Sequence, residues 1–216
     1  MPDLESIVEE IREDWTLKNQ VRDSTLQRSR MLIRLCANSI RATHRQEYDE
    51  AGALLHEARR EAESMIGEAA PFGDISDSGY LLDALKELAE AALTLAFATG
   101  GQLPTPASLS VPNASYLNGL GEAAGELRRL SLDAMRRDDL AEAERYLAYM
   151  DDIYSHLVTL DFPDTLTRGL RRTTDMVRGV TERTRGDLTT AVRENLLQEA
   201  LKGFEERLQL QAGDEG

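Results

Sequence analysis

The 216-residue sequence contains a single cysteine, Cys36, and only three lysines among its 25 basic residues. One cysteine excludes an intrachain disulfide and any zinc or iron–sulfur site built from several thiolates. Acidic residues number 39, so the formal net charge is −14. This charge excludes a protein that coats duplex DNA without regard to sequence, because binding to the phosphates needs an excess of basic residues. Heavy use of acid with almost no lysine indicates a salt-adapted microbial source, since salt screens self-repulsion.

Targeting and membrane-spanning signals are also missing from the sequence. The N-terminus, Met-Pro-Asp-Leu-Glu-Ser, lacks the basic and apolar regions of a signal peptide. The best apolar run covers 91–98, and Thr94 interrupts it. A bilayer crossing needs about 20 apolar residues. We therefore expect a cytoplasmic protein that has no membrane partner.

Proline is scarce, with six residues, and long tracts of the chain contain none. Neither proline nor glycine occurs between Asp3 and Ala51, where apolar residues recur at three- and four-residue steps from Leu4 to Trp15. That period is helical, and the alternating β-branched runs that are typical of strands are absent. The sequence therefore predicts an all-α fold, with residues 1–216 forming a single domain.

Helix breakers divide the chain into about seven predicted helices. Clusters of glycine and proline predict a loop at 71–79 and a Pro/Gly-rich connection at 100–113, and we expect a disordered tail over 212–216. Helices of this length need partners along their whole length, which favours a bundle that also oligomerises. The predicted helices cover 4–45 (one helix or a pair), 47–68, 80–99, 114–136, 139–160, 164–185 and 188–211.

Two pairs of carboxylates lie at helical spacing in the middle of the chain. Glu87 and Glu90 are three residues apart on one predicted helix, and Glu122 and Glu126 are four apart on the next. Each pair shares a helix face, so packing of the two helices would bring up to four carboxylates together. Such a cluster binds a hard cation or takes up protons, and its oxygen ligands suit Mg²⁺ or Mn²⁺. Alternatively, a sequence so rich in acid produces same-face pairs by chance, and all of them point to solvent.

Two glycines, Gly119 and Gly125, interrupt the helix that carries Glu122 and Glu126. Each costs about 1 kcal/mol relative to alanine in a helix interior. Close approach of another helix or of a ligand would compensate for this cost, so we expect a close contact at both positions.

Arginine concentrates near the C-terminus, with seven residues between 168 and 193 against three acidic residues. Guanidinium groups bind phosphate through paired donors, so this segment is suited to hold an RNA backbone. Pairing with the abundant acids, across helices or across subunits, is the alternative interpretation.

These residues resemble motifs of the translin family, and more closely those of its Trax (translin-associated factor X) branch. The string Tyr116-Leu-x-Gly-Leu-x-Glu122-x-x-Gly-Glu126-Leu-x-Arg129 resembles the family helix Tyr-Leu-x-Gly-hydrophobic-x-Asp-x-x-Gly-Glu-Leu-x-Arg. The string Glu87-x-x-Glu90-Ala resembles the Trax motif Glu-x-x-Glu-Ala, which translin lacks. Farther on, Leu170-Arg171-Arg172-x-x-Asp175-x-x-Arg178 is similar to the arginine-rich helix near the translin C-terminus.

The resemblance implies a seven-helix fold that assembles into a closed, barrel-like homo-oligomer, which a translin-like partner chain could join. Trax subunits cleave single-stranded RNA with Mg²⁺ on the inner wall of such a barrel. The likeness places the catalytic acids at Glu87, Glu90 and Glu122, and these would hold Mg²⁺ (alternatively Mn²⁺) together with Glu126. It implies RNA contacts at the arginines of the matching motifs: Arg129, Arg171, Arg172 and Arg178.

One position departs from the family pattern, because Glu122 stands where the family usually has aspartate. The longer side chain keeps the carboxylate but could change the metal geometry and reduce activity. Three functions therefore stay open: a Trax-like endoribonuclease, a non-catalytic translin-like protein that binds single-stranded RNA or DNA, and a helical scaffold without nucleic acid. The pair Glu87-x-x-Glu90 favours the first, since the binding-only branch lacks it.

Overall fold

The computed structural model describes the backbone of residues 3–214 and the side chains of residues 3–207. Every regular element in this part of the chain is helical, which confirms the all-α prediction. Six of the helices are long and three have a single turn. In chain order they are α1 (Leu4–His44), α2 (Tyr48–Ala69), α3 (Gly73–Ser76), α4 (Gly79–Thr99), α5 (Pro106–Leu109), α6 (Asn113–Met135), α7 (Leu140–Leu157), α8 (Asp164–Thr167) and α9 (Leu170–Asp214).

Most helix ends lie where glycine and proline predict them. α4 stops at Gly100, which adopts a left-handed conformation with φ of 66° and caps the helix. The predicted loop at 71–79 contains α3, and the predicted connection at 100–113 contains α5. The first predicted segment, 4–45, is one continuous helix rather than a pair.

The C-terminal third differs from the prediction of two helices at 164–185 and 188–211. The chain breaks earlier, because Arg168 and Gly169 both have positive φ and separate α8 from α9. α9 then continues through Gly186 without interruption. Buried Thr184 and Leu188 anchor it on both sides of that glycine, and an isolated glycine costs a helix only about 1 kcal/mol. Residues 212–214 of the expected disordered tail lie in α9, and 215–216 lie outside the described residues.

The core is built around α4, in which 14 of the 21 residues are buried. α4 packs against α1 and α2 on one side and against α6 on the other, and α6 also contacts α7 and α9. Leu85, Leu88 and Leu93 of α4 and Leu127 of α6 are among the fully buried side chains at this centre. The α4–α6 contact therefore joins the two halves of the bundle.

Two helix ends extend beyond the bundle, and we call them the projecting ends: residues 4–17 of α1 and 192–207 of α9. Side chains 3–17 are all exposed, including Trp15 at 67 %. Apolar residues nevertheless follow a four- and three-residue spacing on the first end, and exposed apolar residues also line the second. They are Leu4, Val8, Ile11 and Trp15 on α1, and Leu196, Leu197, Leu201 and Phe204 on α9.

None of the helices in the described part of the chain combines the length and the hydropathy that a bilayer crossing needs.

Candidate metal centre

Close packing of α6 against α4 creates the candidate site. A Cβ atom placed on Gly119 would lie 2.6 Å from the Lys86 carbonyl oxygen and 3.0 Å from the Glu90 amide nitrogen. Only a glycine permits such an approach, so the close contact expected at Gly119 is confirmed. Gly121 likewise permits a close approach of α6 to α9, because an added Cβ there would lie 2.2 Å from Cγ2 of Thr173. An added Cβ on Gly125 would meet no atom within 4 Å, so no helix in the described part of the chain makes the expected contact there, and contact with a ligand stays a prediction.

This approach brings together three of the four predicted carboxylates. Glu87, Glu90 and Glu122 each offer one oxygen, and the three oxygens lie within 4.8 Å of one another. Glu87 and Glu122 are partly exposed, whereas Glu90 is buried with 8 % of its surface exposed. Three converging carboxylate oxygens with one open side form a donor set that suits a hard divalent cation. We call these three residues the acid cluster.

Repulsion and burial shift the protonation of the acid cluster. Burial, followed by the charges of Glu87, Glu122 and Glu126, raises the pKa of Glu90 to about 8. Burial is also the main reason that the pKa of Glu87 is raised. Without a cation, Glu90 therefore keeps its proton at neutral pH, as expected for a buried carboxyl group beside other carboxylates.

The ammonium group of Lys86 occupies one edge of the acid cluster. Its Nζ donates a hydrogen bond to Oε1 of Glu122 at 2.7 Å and lies 3.7 Å from Oε1 of Glu87. Burial opposes the charged form, yet the bond to Glu122 and the neighbouring acids leave the pKa of Lys86 raised. One of the three lysines of the chain thus serves as an internal counter-ion for two of the carboxylates.

The fourth predicted acid, Glu126, lies beside the acid cluster but is engaged differently. Its Oε2 contacts Nε2 of His44, the last residue of α1, whose side chain is almost fully buried. Nδ1 of His44 is also buried and has no hydrogen-bond partner among the described residues. Glu126 still acts on the site through its charge, which contributes to the raised pKa of Glu90. Its role as a metal ligand stays a prediction.

The four arginines expected to contact RNA are dispersed over the surface. All four are exposed, and none forms an ion pair among the side chains that the structure describes. Arg172 lies next to the acid cluster, whereas its neighbour Arg171 lines a separate cavity with Leu157 and Asp175. Other arginines pair with acids as the alternative interpretation expects, for example Arg128 with Asp187 at 2.8 Å and Arg185 with Asp151 at 2.6 Å.

Two residues of the site, Lys86 and His44, escape prediction from the sequence. Lys86 precedes Glu87 directly, and its rarity as a lysine in this chain is the one signal that could have identified it. His44 is distant in sequence from every acid of the site, and only the packing of α1 and α6 on either side of α4 brings it to Glu126.

Comparison with known proteins gives a consistent picture, although no family model matches the chain. The chain is 34 % identical over 187 residues to the protein MJ0175 of Methanocaldococcus jannaschii, which covers 86 % of this chain and 82 % of that protein. Among solved structures, AfC3PO superimposes with a TM-score of 0.82 at 31 % identity, covering 88 % of this chain and 98 % of the other.

Two further structures extend the comparison. A complex of AfC3PO with duplex RNA gives a TM-score of 0.81 at 30 % identity over the same shares of both chains. The structure of apo-NeC3PO gives a TM-score of 0.76 at 21 % identity, again covering 88 % of this chain and 98 % of that chain. At that identity, the similarity to NeC3PO concerns the fold alone.

Proposed function

The chain belongs to the translin/C3PO-type family, and from that premise we propose that it is a Trax-like endoribonuclease that cleaves single-stranded RNA with Mg²⁺. The observation that carries the proposal is the acid cluster, in which three carboxylate oxygens lie within 4.8 Å of one another on the packed α4–α6 pair. The acid-rich, lysine-poor composition leads us to include the cytoplasm of a salt-adapted cell in this proposal.

The acid cluster fits a divalent cation in its chemistry as well as in its spacing. All donors are carboxylate oxygens, the preferred ligands of Mg²⁺ and Mn²⁺. Burial, followed by the charges of the neighbouring acids, raises the pKa of Glu90, and a cation would offset both effects by stabilising the carboxylate form. Such a cation supplies polarisation of a phosphodiester and acidification of a water molecule.

The residues of the chain would then have distinct tasks. Glu87 and Glu122, which are partly exposed, would hold the cation at the open side of the acid cluster. Glu90 lies deepest and would supply the third oxygen, and because its pKa without a cation is about 8, cation binding near neutral pH would release a proton from it. Glu126, held by His44, lies one helical turn after Glu122 on α6 and would add its negative charge to the site.

RNA binding and oligomerisation belong to the same proposal. AfC3PO has been solved with duplex RNA, so both single-stranded and duplex RNA deserve testing here. The exposed apolar residues of the projecting ends favour a homo-oligomer, because helices with such stripes normally bury them against another helix. A translin-like partner chain is the alternative occupant of these surfaces.

One observation favours the non-catalytic alternative. Lys86 already neutralises part of the acid cluster by its 2.7 Å bond to Glu122, and this glutamate stands where the family usually has aspartate. A protein whose cluster is satisfied by its own ammonium group could bind single-stranded RNA or DNA without cleaving it.

A cleavage and binding assay on the purified protein separates these functions. End-labelled single-stranded RNA, single-stranded DNA and duplex RNA are incubated with Mg²⁺, with Mn²⁺ or with EDTA at high and low salt. Cleavage that requires the metal supports the endoribonuclease. Binding without cleavage in the presence of either metal supports the translin-like alternative. Absence of binding supports the third function, a helical scaffold without nucleic acid.

Replacement of Lys86 by glutamine should tighten Mg²⁺ binding about tenfold, because the cation no longer has to displace an ammonium group. A hydrogen bond between charged groups contributes about 1.5–3 kcal/mol, and 1.4 kcal/mol corresponds to a factor of ten. Calorimetric titration with Mg²⁺ measures the change. Lys18→Gln is the matched control, since Lys18 pairs with Asp74 on the exposed surface. Equal affinities in both variants and the wild type would contradict the counter-ion role.

A further inference from the structure

A cavity of about 290 Å³ opens beside the acid cluster, and we call it the basic pocket. It lies between α4, the first half of α6 and the junction of α8 with α9. Glu122 and Lys86 form the wall that it shares with the acid cluster. Its polar lining comprises Asp83, Lys86, Ser115, Asn118, Glu122, Arg168, Arg172 and Thr173.

The basic pocket has a local excess of positive charge in a strongly acidic chain. Lys86, Arg168 and Arg172 line it against two acids, Asp83 and Glu122, although the formal net charge of the protein is −14. Neither arginine forms an ion pair among the described side chains, in contrast to Arg128 and Arg185, which do. Two guanidinium groups without an acidic partner therefore leave their paired donors available to an anion.

The wall that carries the two arginines is fixed to α6. Asn118 Nδ2 donates to the Thr167 carbonyl oxygen at 2.9 Å, and Thr173 Oγ1 donates to Asn118 Oδ1 at 2.6 Å. Asn118 is buried, so its bond to Thr167 is shielded from water, and its bond to Thr173 is partly buried. The left-handed residues Arg168 and Gly169 turn the chain between these two tethers. The backbone on either side of Arg168 is thus held in place before any ligand arrives, which lowers the entropy cost of binding.

We infer that the basic pocket binds a backbone phosphate of the RNA, one neighbouring the phosphate that the acid cluster would hold. This inference rests on the proposed function and identifies a substrate subsite within it. Arg168 and Arg172 would contact the phosphate oxygens, and Lys86 would lie between the two phosphates. Arg171 has no part in this subsite, because it faces the separate cavity beside Leu157.

The test uses RNA binding in EDTA, so that it does not depend on cleavage. A labelled single strand, the shortest that still binds, carries one uncharged methylphosphonate linkage that is moved along the chain. Fluorescence anisotropy gives the affinity at each position for the wild type, for Arg168→Gln/Arg172→Gln and for the control Arg30→Gln/Arg34→Gln. The control removes the same charge from two exposed arginines of α1 that lie outside the basic pocket.

For the wild type, the affinity for RNA should fall about tenfold or more when one particular linkage is uncharged. A loss of this size is expected when a hydrogen bond between charged groups is removed. That loss should vanish in Arg168→Gln/Arg172→Gln and persist in the control. The salt dependence of binding should also fall, by about 0.7 in logarithmic slope for each lost phosphate contact. Circular dichroism and gel filtration check that fold and assembly are unchanged.

The outcomes separate the subsite from the function on which it rests. A methylphosphonate profile of Arg168→Gln/Arg172→Gln that matches the wild type would overturn the subsite alone. A wild-type protein that binds no RNA would overturn the proposed function and the subsite together. Binding with the expected profile but without cleavage in Mg²⁺ would support the subsite and refute the nuclease.

Discussion

A Glu90→Gln variant should lose Mg²⁺-dependent cleavage of single-stranded RNA by about a hundredfold or more. Glutamine preserves the size of the side chain but removes the charge that a cation would contact in the buried part of the acid cluster. Loss of an outer-sphere partner alone typically costs about 10–100-fold in metal affinity or activity, so loss of a direct ligand should exceed that range. Initial cleavage rates measure the effect. Glu63→Gln, an exposed acid on α2, is the control.

The same variant should be more stable than the wild type when EDTA removes the metal. Glu90 has a pKa of about 8 in the folded protein against an ordinary value of 4.5, so the native state binds its proton more tightly than the unfolded state does. Wild-type stability therefore falls as the pH rises from about 4.5 through 8, whereas the glutamine variant does not share this loss. The melting temperatures should diverge by several degrees between pH 5 and pH 9.

Addition of Mg²⁺ at pH 8 should reverse this order, since only the wild type gains stability from binding the cation. Retained cleavage in the variant would exclude Glu90 from the site. A variant that melts below the wild type in EDTA at pH 9 would show instead that Glu90 has a structural role.

A Gly119→Ala variant should lower the melting temperature by about 4–10 °C. The added Cβ would lie 2.6 Å from the Lys86 carbonyl oxygen and 2.9 Å from the Ala89 Cβ, and the first of these atoms belongs to rigid helix backbone. Overpacking of this kind typically costs about 1–3 kcal/mol, and each kcal/mol shifts the melting temperature of a protein this size by about 2–4 °C. Because α6 must move away from α4, Mg²⁺ affinity should fall as well.

Gly125→Ala on the same helix is the matched control and should change stability in the opposite direction. An added Cβ at Gly125 meets no atom within 4 Å, so alanine gains its helix propensity of about 1 kcal/mol without a clash. Thermal unfolding of both variants in EDTA measures the pair. If both substitutions raised the melting temperature, the close packing at Gly119 would not limit the α4–α6 contact.

The sequence is informative about this fold wherever a single residue type decides the local geometry. The glycines after α4 and the proline-rich connection mark helix ends correctly, because positive φ and missing amide hydrogens act locally. The continuity of α9 through Gly186 depends instead on buried neighbours on both sides, which no local pattern contains. Spacing on each helix also places the acids on common faces, and a tight glycine contact then joins the two faces.

The rest of the site depends on distances between helices, which residue spacing does not contain. Whether Glu126 points to a cation or to His44 depends on where α1 ends relative to α6. The bond from Lys86 to Glu122 likewise exists only because the helices approach closely enough for the two side chains to meet. Arg171 and Arg172 are adjacent in the sequence, but their side chains line different cavities. Their positions in the motif therefore do not tell which of them lies beside the acid cluster.

The projecting ends have a thermodynamic consequence for the molecule. Residues 4–17 and 192–207 contribute little to the buried core of their own chain, and isolated helices of that length are only marginally stable in water. In the proposed homo-oligomer these ends would gain their order from association, and association obeys mass action. The stability of a subunit would then not be a constant of the polypeptide alone. It would be a property of the solution, set by how many copies are present to share those surfaces.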